Sequence, residues 1–185
     1  MSSANLTNGL SIVVTDQGET PTDVVVGFSW DVITSNSPDP ELVPMVLILD
    51  EDEQVIDPDA VAFFNQLSAA AGAVQYVTGD DLEQVDIHLP AVPAEAKTLL
   101  FLLFINPDPR RPGTFRAVRS ARANISTAAG EQLAHVNITT SSIEDADAVV
   151  IAELYRYKGQ WKFRALGSGY TGGVRAVAET FGFTI

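Results

Sequence analysis

The side chains best placed to do chemistry in this chain are carboxylates, and the most informative group is Asp80-Asp81-Leu82-Glu83. It follows Thr78-Gly79 and precedes an alternating segment. Calcium asks for roughly six to eight hard oxygens, several of them carboxylates on a flexible turn. Two adjacent aspartates and a glutamate two residues later can converge on such an ion when distant groups help. No D-x-D-x-D-G loop ending in Glu is present, so this is not an EF-hand. Asp50 to Glu53 and Asp57-Pro58-Asp59 read as solvated turns. The same carboxylates could in principle serve a paired-acid hydrolase, but nothing in the sequence fixes which one would stay protonated.

Three other groups carry weaker signals. Arg110, Arg111, Arg116, Arg119 and Arg122 form a basic cluster. It could dock a small anion or an acidic protein through bidentate contacts, but neutralising the chain's own carboxylates is the favoured reading. Arg116 and Arg122 share strand parity, and Arg119 joins them only through a bulge. Gly167-Ser168-Gly169-Tyr170-Thr171-Gly172-Gly173 matches G-x-G-x-x-G between a strand and a helix. A second strand bearing the acidic residue that a dinucleotide fold places about 20 positions on is not expected in the residues from Gly172 to Ile185. The expected reading is a tight turn needing positive φ angles. Ser168 lacks glycines two positions to either side, so it is no nucleophile elbow. His88 alternates outward as a surface residue, and His135 reads as structural.

Composition bounds what these groups can do. The 185 residues hold 24 acidic and 11 basic side chains and no cysteine, for a net charge of −13. Disulfides, thiolate metal sites and cysteine nucleophiles are excluded. Two histidines make a multi-histidine zinc or iron site a poor reading. The acidic balance repels phosphates and argues against nucleic acid as a partner. No run of about 20 apolar residues provides a membrane span. The first ten residues do not resemble a secretory signal, so a cytoplasmic location is expected. No nucleophile with a base can be assembled, and the expectation is a protein that is not an enzyme.

Positioning these groups falls to short strands. Leu10–Val14, Val24–Trp30, Met45–Leu49 and Val74–Thr78 are strand candidates, with Thr34–Pro44 read as loop. Val85, Ile87 and Leu89 alternate with polar residues, the period of a half-buried strand. Thr98–Ile105 reads as a buried strand, and Phe115–Ser126, Glu131–Ile138, Ala148–Tyr157 and Trp161–Leu166 as further strands. The last pair is joined by Lys158-Gly159-Gln160. Val174, Val177, Ala178 and Phe181 share one helical face, with Gly182 at the C-cap position. The expected fold is mostly β, a two-sheet β-sandwich with a few short helices including a C-terminal one, in a single domain over 1–185.

The segment from Ala152-Glu153-Leu154-Tyr155-Arg156 through Gly159, Trp161-Lys162-Phe163-Arg164-Ala165-Leu166-Gly167-Ser168-Gly169-Tyr170 resembles the TerD family of tellurium-resistance and stress proteins. That family reads G-E-L-Y-R-x-x-G-x-W-K-F-R-A-V-G-Q-G-Y. Gly27-Phe28-Ser29-Trp30-Asp31 is similar to its G-L-G-W-D, Phe63-Phe64-Asn65-Gln66 to its F-Y-N-Q, and Thr78-Gly79-Asp80 to the start of T-G-D-N. The resemblance implies a β-sandwich, a role in stress response and calcium bound by an acidic loop between the sheets. Carried over residue by residue, the ligands would be Asp31, Asp80, Asp81 and Glu83. The loop is shortened here, and Glu41-Leu42-Val43-Pro44-Met45 stands where the family has F-D-L-D-A-S. Fewer carboxylates neutralise less divalent charge, so one weak calcium site is the most this set implies. The alternative is a metal-free scaffold that docks a protein or small anion through the arginine region.

Overall fold

The structure is a computed structural model that describes residues 3–15, 20–33, 39–79, 82–108 and 113–185. Its strands are β1 (Ala4–Leu6), β2 (Ser11–Val13), β3 (Asp23–Val32), β4 (Leu42–Leu49), β5 (Val61–Ala62), β6 (Ser68–Ala69) and β7 (Val74–Gly79). They continue with β8 (Leu82–His88), β9 (Thr98–Ile105), β10 (Val118–Thr127), β11 (Gln132–Thr139), β12 (Ala148–Tyr157) and β13 (Gln160–Tyr170), and the chain ends in helix α1 (Gly173–Phe181).

The strands form two sheets. One runs β1-β11-β10-β3-β8-β7-β6 and the other β2-β13-β12-β9-β4-β5. All named pairings are antiparallel except β1 with β11. The mostly-β sandwich with a C-terminal helix is therefore the observed architecture. The main core lies between the sheets, where Phe101 of β9 sits 6.3 Å from Phe28 of the opposite sheet and 6.3 Å from Phe163 of its own. A second apolar layer lies on the outer face of the six-stranded sheet. There Met45, Leu47, Leu102 and Val150 meet Val174, Val177 and Phe181 of α1.

The helix follows its sequence pattern. Val174, Val177, Ala178 and Phe181 are its buried residues. Gly182 caps it at φ 75° and donates its N–H to the Ala178 carbonyl. A left-handed C-cap of this kind suits glycine because it has no Cβ to clash.

Three expectations shift. Pro44 was expected in a loop but sits inside β4, paired with Leu103. Its missing N–H is tolerated because β5, on the other side of β4, reaches only Val46 and Leu47. The strand expected from Phe115 starts at Val118, since Phe115–Ala117 form a 3₁₀ turn capped by the Thr114 side chain. The β12–β13 connection is two residues rather than three. Tyr157 pairs with Gln160, and Lys158 and Gly159 take φ angles of 50° and 77°. Those paired positive angles belong to the mirror-image turn whose twist matches a hairpin.

The glycine-rich stretch divides by function. Gly172 and Gly173 make the strand-to-helix turn, with φ of 105° and 62°. Gly169 lies within β13 and is required by packing. A Cβ there would lie 2.9 Å from Ile143 Cγ2 and 3.0 Å from Ala146 Cβ. Among the described residues no helix is long and apolar enough to cross a membrane.

Because Phe101 is fully buried and bridges both sheets, Phe101→Ala should lower the unfolding free energy by about 3–5 kcal/mol in a urea titration. A loss below ~1 kcal/mol would mean that the inter-sheet core is not packed as described.

Candidate functional site

Of the expected ligands, Glu83 lies on β8 of the β7–β8 hairpin and Asp31 near the end of β3. In the hairpin, Tyr76 pairs with Val85, Thr78 with Glu83 and Gly79 with Leu82. Val85 and Ile87 point into the core, so Glu83, two residues earlier, shares their inward face at the rim of the sandwich. Its carboxylate accepts from both strand neighbours on that face. Thr78 Oγ1 donates to Glu83 Oε1 at 2.9 Å, and the buried Tyr76 hydroxyl donates to Oε2. Burial first, and then the hydrogen bond to Glu83, push the Tyr76 phenol far above its ordinary value. Proton loss there would place two negative charges in contact.

Asp31 lies elsewhere. On β3, Val24, Val26 and Phe28 face the core, so Asp31 turns outward. It is therefore on the opposite face of the sheet from Glu83. Its Oδ2 accepts from Arg119 Nη1 at 2.5 Å. The pairing of β10 with β3 shifts between Val118 and Ser120, and this bulge is what turns Arg119 outward onto Asp31. Asp80 and Asp81 lie outside the described residues. Among the described residues, no three histidine, aspartate or glutamate side chains gather in a metal-binding group.

The arginine region is largely consumed within the chain. Arg116 meets Asp145 at 2.7 Å and Glu144 at 3.4 Å, and Arg119 meets Asp31. Arg122, opposite Ser29 and Asn137 on the outer face, has no carboxylate partner among the described residues. Arg110 and Arg111 lie outside them. Internal neutralisation, the favoured sequence reading, describes Arg116 and Arg119. These pairs are exposed and contribute little stability each. His88 is half-exposed and meets Asp23 at 2.8 Å, while His135 Nδ1 lies 3.1 Å from Ser3 Oγ.

Sequence reasoning missed two polar arrangements in β12–β13. Arg156 stacks on Trp161, 4.3 Å from the ring centroid, and donates to the carbonyls of Ala96, Val92 and Pro93. Burial pulls its guanidinium below the ordinary arginine value, and no carboxylate offsets this. The arginine ties the loop before β9 to the hairpin. Glu153, nearly buried on the outer face, is held by Arg164 through Nε at 2.6 Å and through Nη2. The signal was present: a turn on Lys158-Gly159 brings Glu153 opposite Arg164.

Tyr76 must stay protonated in the fold, while its unfolded value is near 10. The phenol's folded value is raised, so the stability that it supplies is complete below pH 10 and lost as pH rises beyond it. Tyr76→Phe should flatten the decline of the melting temperature above pH 10. A decline as steep as in the parent protein would mean that the hydroxyl is not enclosed.

Relatives give this geometry a context. The TerD domain model matches residues 1–181. General stress protein 16U of Bacillus subtilis is 32% identical over 192 residues, covering 98% of each chain. Tellurium resistance protein TerD of Serratia marcescens is 29% identical over 189 residues, covering 97% of each. Among solved structures, a Streptomyces coelicolor homologue of telluride resistance protein (TerD) superposes with a TM-score of 0.63 at 18% identity, covering 82% of this chain and 92% of that one. That last likeness concerns the fold alone. The match to the domain over residues 1–181, together with the two near-complete relatives, shows that the chain belongs to the TerD family of tellurium-resistance and stress-response proteins.

Proposed function

We propose that the chain is a non-catalytic, cytoplasmic stress-response protein that takes calcium weakly at the β7–β8 turn. The carrying observation is Glu83, an inward-facing carboxylate fixed by Tyr76 and Thr78 at the rim between the sheets. Asp80 and Asp81, three and two positions before it in the sequence, are the natural further ligands. The hydroxyl donors hold the carboxylate in one orientation, which lowers the entropic cost of coordination. They also compete with the ion for its oxygens, which weakens binding.

Asp31 is a poorer ligand than the family resemblance implies. It faces away from Glu83 and already carries the Arg119 charge. Calcium affinity tracks ligand charge and number, so a set of three carboxylates suits the weak end of the range, about 10⁻⁴–10⁻³ M.

The reading predicts heat on calcium titration with a dissociation constant on the order of 1 mM, and at 10 mM calcium a stabilisation of about 1.4 kcal/mol. Glu83→Gln should abolish both effects, and Arg119→Ala should leave them unchanged, since Asp31 takes no part. Absence of heat and of any melting shift at 10 mM would remove the proposal, and stronger binding by Arg119→Ala would return Asp31 to the ligand set.

A further inference from the structure

A second set of oxygens converges far from the β7–β8 turn, on the outer face of the six-stranded sheet. A cleft of about 230 Å³ opens there between β13 and the C-terminal end of α1. Its polar lining is Glu153, its partner Arg164 and Thr98 on the sheet, Ser168 and Tyr170 along β13, and Glu53 on the opposite lip. Its apolar walls are Leu49, Leu100, Val150, Leu166 and Phe181.

Apart from Glu153 Oε1, these side-chain oxygens have no partner among the described residues. Glu153 is only 8% exposed, and Arg164 occupies its Oε1. Its Oε2 has no hydrogen-bond partner among the described residues, and the same is true of the Thr98, Ser168 and Tyr170 hydroxyls and the Glu53 carboxylate. The Glu53 backbone adopts φ 58°, a conformation unfavourable for a residue with a Cβ. Burial and the nearby Glu53 charge raise the Tyr170 phenol, which keeps that hydroxyl protonated.

The electrostatics select the ligand's sign. Arg164 is matched by Glu153, which leaves Glu53 as the unbalanced charge. The C-terminal end of α1, where carbonyl dipoles carry partial negative charge, abuts the same space through Phe181. An anion would meet two carboxylates against one guanidinium, and that guanidinium is already held by Glu153. A hydrated metal ion would meet the apolar walls. A cation with hydrogen-bond donors at one end and an alkyl body fits both parts of the lining.

We infer that the cleft between β13 and α1 is a binding site for a small primary alkylammonium ion, its nitrogen donating to Glu153 Oε2, the Tyr170 hydroxyl and Glu53, and its alkyl body lying against Leu100, Leu166 and Phe181. This site is separate from the calcium reading, and either can fail without the other. The residues that line it include Glu153, Arg164 and Tyr170 of the motif that carries the family resemblance.

The test is a titration of the isotope-labelled protein with n-butylammonium, 1-butanol, butyrate and calcium, followed by amide chemical shifts. Butylammonium should give saturable shifts around Glu153, Tyr170 and Phe181, and the other three should not. Glu153→Gln should weaken the amine about tenfold, the loss expected for a charged hydrogen-bond partner. Tyr170→Phe keeps the ring and should weaken it about threefold, which serves as the readout if Glu153→Gln does not fold. Saturation by butyrate or by calcium at these residues would overturn the assignment. So would an amine response that is absent, or one that is unchanged in the variant that folds.

Discussion

The constraint on which the rest of the structure depends is that β4 and β9 are apolar on both faces. All eight residues of Leu42–Leu49 are buried, and so are the last seven of Thr98–Ile105. A strand of this kind cannot serve at the surface of an ordinary sandwich, where one face meets water. One side of the six-stranded sheet is covered by the seven-stranded sheet. The other side needs a second cover, and the only helix longer than a single turn among the described residues supplies it. Its nine residues, about 14 Å of helix, span only part of that face. The outer cleft lies where this cover ends, which is why it combines apolar walls with the polar rim of β12 and β13.

Charge is arranged around the same frame. A chain with 24 acidic and 11 basic side chains cannot pair every carboxylate. Arg116 and Arg119 are spent on surface carboxylates, and Arg164 on the nearly buried Glu153. The Glu153 pair is the most consequential of these, because removing one partner of a buried pair leaves an uncompensated charge. Arg156 follows another route and satisfies its donors on carbonyls and on the Trp161 ring. The carboxylates left over concentrate on turns, and it is there that a cation can be attracted.

Much of the fold was legible in the sequence because its signals were local. The alternation of Val85 and Ile87, the uninterrupted run from Thr98 to Ile105 and the helical spacing from Val174 to Phe181 each depend on one segment alone. Less was legible where a neighbouring strand decides. Pro44 reads as a loop residue until it is known that β5 leaves that stretch of β4 paired on one side only, with β9. The short β1 and β6 carry too few residues for a period to register. The candidate ligands show the same limit. Sequence places Asp31 and Glu83 in motifs of one family site, but strand parity puts them on opposite faces, and the bulge at Arg119 supplies Asp31 with another partner.

The β12–β13 hairpin shows how a single turn residue decides the chemistry of a face. With Lys158 and Gly159 alone in the turn, Tyr157 meets Gln160, and counting back puts Glu153 opposite Arg164, both outward. A three-residue connection would move the register by one. Glu153 would then face Ala165, and the strand would turn over, with Arg164 directed at the core and Phe163 at solvent. The fully buried Phe163 forbids that arrangement energetically, and the left-handed pair at Lys158 and Gly159 forbids it locally. Core packing and turn geometry therefore agree on one register. The polar lining of the outer cleft, Glu153, Ser168 and Tyr170 together, follows from that register and from the further bulge between Val150 and Ala152. What looks like a separate polar site is in this sense a consequence of burying Phe163.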